Sequence, residues 1–333
     1  MNHLFRDSKR SLLRWFLRLA CVQIISLILH ANDHRPIKIA EPLSGHIHPS
    51  ICMSKAGTLI VTFGRVNHRD LRILRSHDAG KTWSHPEPFQ HTSTTTHYPG
   101  SLTALSDGRI VHCWNRWEGD SDEKEPRRVL FSTSSDEGVT WTAPQSLPYS
   151  PERRSVIRHP LVEITPSRWL CPLDDATLDF DATSLKAAPW GDGRNHGLVP
   201  IVRTPKGTHI SGAGLRSTDS GTTWLPIEGF PDIKSQGWRH ELVCLSDGLL
   251  LASEITGPGF GGEKIAYRVS ADDGLTWSRR FVYHDPGRAI GGRACPRTVE
   301  IDKTTIGVVF YDTATEGGPS LLFLTIPVAD LTR

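Results

Sequence analysis

The sequence predicts an all-β fold, a β-propeller built from four-stranded antiparallel blades. Short runs rich in Val, Ile, Leu, Thr and Phe alternate with Gly, Pro, Asp and Ser, and helical periodicity is scarce after residue 35, which is typical of strands and tight turns. The octapeptide Ser-x-Asp-x-Gly-x-Thr-Trp also occurs four times. Its copies end at Trp83, Trp141, Trp224 and Trp277, which are 58, 83 and 53 residues apart. Repetition at about 40–50 residues indicates propeller blades.

The predicted strands follow the same order in each unit. A polar entry leads into a strand, an Asp/Gly-type turn and an apolar strand, and a third strand such as Leu71–Ser76 leads into the octapeptide. Five units begin near residues 48, 97, 158, 239 and 293. The stretch from Asp175 to Gly207 has no octapeptide, so it is either a degenerate sixth blade or an insertion. We expect Ile37–Pro42 to add an outer strand beside Ser320–Val328 and to close the ring.

Each octapeptide is predicted to build a hairpin turn rather than a catalytic site. The Asp accepts hydrogen bonds from nearby backbone N–H groups, the Gly supplies the positive φ of a tight turn, and the Trp packs against the neighbouring strand. A calcium loop would need more oxygen ligands than this pattern supplies. The four structural aspartates are Asp78, Asp136, Asp219 and Asp272.

The first 31 residues differ in character from the rest. Arg6, Lys9, Arg10 and Arg14 precede the apolar run Leu19–Leu29. We predict a secretory signal peptide over residues 1–31 and the propeller over residues 35–333, with an uncleaved membrane anchor as the alternative for the leader. The protein is therefore expected to be secreted, periplasmic or at the cell surface, and to meet a membrane only through such an anchor.

Composition argues against several classes of partner and cofactor. With 38 Lys and Arg against 36 Asp and Glu, the net charge of +2 does not indicate nucleic acid as a partner. One of the six cysteines lies in the leader and the others are spread through apolar runs, which favours buried free thiols over disulfides. No Cys-x-x-Cys pair indicates zinc. We predict no metal and no cofactor.

The octapeptide resembles the Asp-box, or bacterial neuraminidase repeat, of the sialidase superfamily, and the resemblance covers roughly residues 36 to 330. It implies six blades, which we predict in preference to the five that can be counted directly. It also implies an exported, exo-α-sialidase-like glycoside hydrolase whose boxes lie on outer hairpins, away from the active site. The repeats therefore indicate the fold, and the reaction has to be argued from other residues.

Polar residues recur where the innermost strand of each unit begins, at one end of the predicted channel. Arginines there suit a sugar carboxylate. The alternative is that these residues cap strands or pair with acids such as Glu163 and Glu300. The predicted substrate-binding residues are His48, His97, Arg158, His159, Arg239, Arg293 and Arg297.

The resemblance further implies three arginines around the substrate carboxylate, a Tyr nucleophile activated by a Glu, and an Asp acid/base. Asp70 lies in the loop before the first octapeptide, at the place of the Asp. Glu241 precedes a strand–turn–strand unit as the Glu does, although the register fits Arg239 slightly better. Asp70 and Glu241 are the predicted catalytic residues.

Several positions depart from the family pattern. His48 stands where the family has its first Arg, Glu254 lies near the place of the second, and Cys295 stands at about the place of the Tyr. If the family mechanism is kept, Tyr98 or Tyr283 would have to replace the missing nucleophile.

Three functions remain open on the sequence. The first is a glycoside hydrolase acting on a glycan or acidic sugar, with Asp70 and Glu241, or another carboxylate pair drawn from Asp174, Asp175 and Glu254, in acid and base roles. The second is a catalytically inactive propeller that binds a glycan or a protein. The third is a purely structural scaffold.

Overall fold

A computed structural model describes residues 35–44, 47–66, 69–89, 95–118, 128–148, 156–232, 240–257, 262–291 and 294–332, without the side chains of residues 69, 95–98 and 117–118. These residues form six four-stranded sheets, and the strand pairs within them are antiparallel. The predicted six-bladed propeller is thereby confirmed, and the five-bladed alternative is wrong. The predicted leader lies outside the described residues, among which no helix has the length and apolarity to cross a membrane.

Five blades are formed by consecutive strands, and the sixth combines the two ends of the propeller. Blade 1 consists of β2 (Ser50–Met53), β3 (Leu59–Val66), β4 (Arg69–Ser76) and β5 (Glu87–Pro88). Blade 2 consists of β6 (Thr95–Ala104), β7 (Ile110–Glu118), β8 (Arg128–Ser134) and β9 (Gln145–Ser146). Blade 3 consists of β10 (Val162–Thr165), β11 (Arg168–Pro172), β12 (Thr177–Asp181) and β13 (Lys186–Pro189). Blade 4 consists of β14 (Ile201–Arg203), β15 (His209–Ser211), β16 (Leu215–Ser217) and β17 (Leu225–Pro226). Blade 5 consists of β18 (Glu241–Cys244), β19 (Leu250–Thr256), β20 (Lys264–Ser270) and β21 (Phe281–His284).

Blade 6 closes the ring. It consists of β22 (Arg297–Asp302), β23 (Thr305–Asp312), β24 (Ser320–Pro327) and β1 (Ile37–Ala40), followed by the single helical turn α1 (Val328–Leu331). The predicted outer strand pairs with β24, with Ile37 opposite Phe323. An edge that would otherwise be unpaired is thereby covered.

The core lies between blades, so a strand is buried on both faces. In β3, Leu59, Ile60 and Val61 are all fully buried. Leu59 and Val61 pack in a cluster with residues of blade 6, whereas Ile60 packs in a cluster with residues of blade 2. This is why the strand reads as a continuous apolar run and not as an alternation.

The octapeptides form closely similar turns in blades 1, 2, 4 and 5. In the first, Asp78 Oδ1 accepts a hydrogen bond from Thr82 N at 2.8 Å, Ser76 Oγ accepts one from Gly80 N at 2.9 Å, and the Trp83 indole donates to the Gly80 carbonyl at 3.1 Å. Hydrogen bonds from Thr82 hold the pKa of the Asp78 carboxyl down at about 2. Equivalent bonds form around Asp136, Asp219 and Asp272.

The stretch from Asp175 to Gly207 is neither a whole blade nor an insertion. It contains β12 and β13, the outer half of blade 3, followed by β14, the inner strand of blade 4. The sequence did not reveal this boundary because blade 3 joins its last two strands by a turn in which Asp181 caps Thr183 and Ser184, with no octapeptide to mark it.

Neighbouring blades are joined at the octapeptide end by two matched contacts. Glu163 of β10 accepts hydrogen bonds from the backbone N–H and the hydroxyl of Ser106, at 2.8 and 2.6 Å. Glu300 of β22 binds Ser246 in the same way, with both distances 2.6 Å. These two glutamates therefore fasten the blade 2 and blade 5 turns to the next blade.

Candidate functional site

The strand starts and the octapeptides lie at opposite ends of the channel. In an antiparallel four-stranded blade, the first and third hairpins share one end, and the start of the first strand and the second hairpin share the other. First strands of neighbouring blades contact each other, as β2 does with β6 and with β22. His48, just before β2, and Asp70, at the β3–β4 hairpin, therefore share one end, which we call the strand-entry end.

Side chains from three blades meet at the strand-entry end. Arg158 Nη1 lies 2.9 Å from Nδ1 and 3.0 Å from Nε2 of His48, and Cys295 Sγ lies 3.4 Å from His48 Nδ1. These residues precede the inner strands of blades 3, 1 and 6. Blades 3 and 6 are opposite each other in a six-membered ring, so a cluster that joins them through blade 1 spans the channel opening.

Outside the octapeptides, residues other than glycine with positive φ concentrate at the same end. Nine non-glycine residues in the described part of the chain have positive φ; four lie in the octapeptides and Leu185 lies in the β12–β13 turn. The other four are His48 (44°), Asp70 (53°), Ala294 (50°) and Cys295 (46°). Such conformations cost free energy in residues that carry a Cβ, and they cluster at functional sites. This distribution marks the strand-entry end as the candidate site.

Asp70 forms an ion-pair network within blade 1. Its Oδ1 lies 2.7 Å from Arg72 Nη2, and its Oδ2 lies 3.7 Å from Arg65 Nη1. Arg65 is partly exposed, whereas Asp70 and Arg72 are largely covered. The network places a carboxylate and two guanidinium groups at the strand-entry end.

Glu241, the first residue of β18, is a buried carboxyl group with only 2% of its surface exposed. Burial raises its pKa from 4.5 to about 7, while the charge of Arg297 and the polar contact of Thr298 act in the opposite direction. Its Oε2 has no hydrogen-bond partner among the described residues. A carboxyl group with a pKa near neutrality is suited to donating and accepting a proton at physiological pH.

A cavity of about 730 Å³ runs along the inner strands, in the size range of ligand sites. Glu241 and Thr298 line it toward the strand-entry end, and Ser106 and Ser246 line it toward the octapeptide end. Most of its wall comes from apolar residues and prolines of β10, β14 and β18 and the segments beside them. Glu241 therefore borders this cavity although it is almost fully buried.

The remaining predicted binding residues have different environments. His159 is fully buried, and its carbonyl accepts a hydrogen bond from Ser101 Oγ at 2.7 Å. Arg297 is 3% exposed, and its positive charge acts to lower the pKa of the Glu241 carboxyl group. Only the backbone of His97 is described, in β6. Arg239 and Arg293 lie outside the described residues.

The alternative acids are also engaged. Glu254 is buried and paired with Arg280 and, at 3.2 Å, with Arg268. Asp174 Oδ1 accepts a hydrogen bond from Val156 N at 2.6 Å. These contacts give Glu254 and Asp174 local structural roles.

The tyrosines whose side chains are described are buried in the protein core. Tyr267 and Tyr283 stack at 4.6 Å within the cluster between blades 5 and 6, and burial raises the pKa of both hydroxyls. Tyr311 packs in the cluster between blades 1 and 6. Tyr283 thus lacks the lowered pKa of an activated nucleophile, and the side chain of Tyr98 is outside the described part.

The sequence analysis did not single out Arg72 or Thr298, and it did not predict the contact of Cys295 with His48. Arg72 is two residues from Asp70 in a strand, and that spacing places both on one face. The sequence could therefore have predicted that the two side chains are neighbours. Cys295 and His48 each directly precede a proline at the start of an inner strand, which was a weaker signal. Nothing local indicated the contact of Thr298 with the Glu241 carboxyl group.

Comparison with known proteins finds likeness in structure only. No family model matches the sequence, and no curated protein matches it. A Dyadobacter fermentans protein of unknown function has a TM-score of 0.63 at 21% identity, covering 88% of this chain and 97% of its own. A Hadza microbial sialidase has a TM-score of 0.62 at 14% identity, and the match covers 85% of this chain and 65% of that one. The Ruminococcus gnavus intramolecular trans-sialidase has a TM-score of 0.60 at 13% identity, and the match covers 87% of this chain and 96% of that one.

The fold is that of the sialidase propellers. At these identities the likeness establishes the architecture, and any reaction has to be argued from the groups at the strand-entry end of this sialidase-like propeller.

Proposed function

We propose that this chain is an exported glycoside hydrolase of the sialidase type, acting on acidic glycans with Glu241 as proton donor. The observation that carries the proposal is Glu241, a residue that lines the channel cavity and whose carboxyl group is buried, which raises its pKa to about 7. Cleavage of a glycosidic bond needs an acid that protonates the leaving oxygen and remains protonated near the working pH. Asp70 is the second carboxyl group of the proposed site.

The charge at the strand-entry end supports an acidic substrate. Arg158 stands over the channel opening, and Arg72 and Arg65 stand beside Asp70. Guanidinium groups bind carboxylates in a planar, two-pronged geometry. The Ruminococcus gnavus neighbour, which was solved with oseltamivir carboxylate, supports the same substrate class by analogy of fold. The octapeptides, interpreted as Asp-boxes, and the basic, apolar leader support the family and the exported location.

The hydrolase proposal is tested with the full chain on fluorogenic sialosides and other acidic glycosides. We expect turnover by the wild type, a loss of about 100-fold or more in kcat for Glu241→Gln, and little change for Glu228→Gln, an exposed control. Activity should fall as pH rises above about 7, because Glu241 then loses the proton it donates. A wild type that turns over none of these substrates would exclude the hydrolase.

The buried tyrosines favour one second candidate, a propeller that binds acidic glycans without turnover. In that case binding measured by calorimetry would persist in Glu241→Gln and fail in Arg158→Ala, while no product forms.

A further inference from the structure

We propose that Cys295 is the covalent nucleophile of this site and that His48 and Arg158 stabilise its thiolate. The inference rests on the proposed hydrolase function and assigns the attacking group, which that proposal leaves open. It is carried by the contacts that bring a thiol, an imidazole and a guanidinium group together across the channel opening.

His48 contacts both other groups through its ring nitrogens. A guanidinium group donates hydrogen bonds and accepts none, so the imidazole nitrogen that pairs with Arg158 Nη1 must carry a lone pair. Arg158 Nη1 lies 2.9 Å from Nδ1 and 3.0 Å from Nε2, so its position is compatible with either tautomer of the neutral ring. Nδ1 is the ring nitrogen that faces Cys295 Sγ, at 3.4 Å, and it donates a hydrogen bond to the sulfur when it carries the ring hydrogen.

With the ring hydrogen on Nδ1 and the lone pair on Nε2, the sulfur of Cys295 accepts a hydrogen bond from His48. An N–H directed at Sγ and a cationic guanidinium group one ring away both favour the thiolate, which is the nucleophilic form of cysteine. Cys52 and Cys295 are both buried in apolar clusters, and burial raises the pKa of the Cys52 thiol to about 12. The feature that distinguishes Cys295 is the contact of its sulfur with His48.

Cys295 lies in blade 6, next to blade 5, which supplies Glu241. The thiol belongs to the segment before the inner strand of blade 6, and the cluster around it spans the channel opening. Cys295 and the preceding Ala294 are both held at positive φ, and the Ala294 carbonyl is fixed by the Tyr311 N–H at 2.9 Å. The backbone thus holds the thiol against His48 at a cost in local strain.

The reaction balances as two displacements at the anomeric carbon. In the first, the Cys295 thiolate forms a C–S bond, the glycosidic C–O bond breaks, and the leaving oxygen takes the proton of Glu241. In the second, water attacks the same carbon and gives a proton to the Glu241 carboxylate, a C–O bond forms, and the C–S bond breaks to return the thiolate. No oxidant or reductant is needed, and two inversions retain the anomeric configuration.

Substitution and thiol labelling test the assignment first. We expect Cys295→Ser to lower kcat by about 1,000-fold or more with an unchanged melting temperature, and Cys52→Ser, the control, to retain activity. At pH 7 iodoacetamide should modify Cys295 at least tenfold faster than Cys52, as measured by peptide mass spectrometry, and His48→Ala should remove that advantage. Cys295 has no exposed surface, so this small reagent is the appropriate probe. A thiol that stays unmodified contradicts the proposal.

Trapping the intermediate gives a result that does not depend on substitution. A glycosyl fluoride with a second fluorine beside the anomeric carbon should add its glycosyl mass to the peptide containing Cys295. An adduct on another residue, inversion of configuration, or full activity in Cys295→Ser would overturn the nucleophile and leave the hydrolase standing. Absence of turnover by the wild type would overturn both.

Discussion

At the scale of single residues, Glu241 links stability to the proposed chemistry. Its carboxyl group is removed from water at the start of β18, and the neighbouring Arg297 offsets only part of the desolvation. A folded protein holds such a group at a cost in stability once the pH exceeds the pKa it has in the unfolded chain. Groups that are unfavourable for folding and lie beside a cavity are common at catalytic sites.

The stability of the protein should therefore carry a signature of Glu241. Between pH 4.5 and about 7 the folded state keeps the Glu241 proton while the unfolded chain releases it, so this group lowers the free energy of unfolding as pH rises through that window. We expect Glu241→Gln to be more stable than wild type by up to about 3 kcal/mol at pH 8 and to lose this advantage below pH 4.5.

Urea unfolding at pH 4 and pH 8 provides the measurement for Glu241. Glu228→Gln makes the same substitution at an exposed position. Its effect on the free energy of unfolding should be nearly the same at pH 4 and at pH 8. An equal effect of both substitutions at pH 8 would mean that Glu241 is not buried as described.

At the scale of elements, the inner strand of blade 2 depends on a glycine. The β6–β7 register shifts between Tyr98 and Ser101, and Gly100, within this bulge, has φ of 68°. A Cβ on Gly100 would lie 1.8 Å from the Cys113 carbonyl oxygen of the paired strand. The bulge thus brings two backbones into contact that only glycine permits.

Replacing Gly100 should therefore be far more costly than replacing another glycine with positive φ. Gly57, in the β2–β3 turn, has φ of 93°, and a Cβ there would meet nothing within 4 Å. We expect Gly57→Ala to cost about 1–2 kcal/mol from backbone strain alone, and Gly100→Ala to cost at least about 3 kcal/mol because strain and a backbone clash add. Denaturant midpoints of the two variants give the comparison, and equal losses would contradict the clash.

At the scale of the whole molecule, the propeller is held together by closure of the ring. β1 is distant in sequence from its partner β24, and their pairing completes blade 6. Elsewhere the ring is fastened by contacts between adjacent blades, such as Glu163 with Ser106 and Glu300 with Ser246. Residues Pro36–Arg333 form one compact unit.

Removal of β1 should open the ring. A chain that begins at Leu43 lacks β1 and leaves the edge of β24 unpaired, so we expect a lower melting temperature and concentration-dependent association. A chain that begins at Arg35 keeps β1 and should remain folded and monodisperse. Thermal unfolding and size-exclusion chromatography distinguish them, and identical behaviour would show that closure contributes little.

The sequence by itself determined the propeller, because its signal is local. Each octapeptide folds through hydrogen bonds that span four residues, such as Asp78 with Thr82, so the pattern is readable without knowledge of distant contacts. Only the tertiary structure decided where blade 3 ends and blade 4 begins, since no octapeptide marks the outer turn of blade 3. It also decided which polar residues meet. His48 is 110 positions from Arg158 and 247 from Cys295, and they come together because the ring closes and directs all its inner strands to one channel.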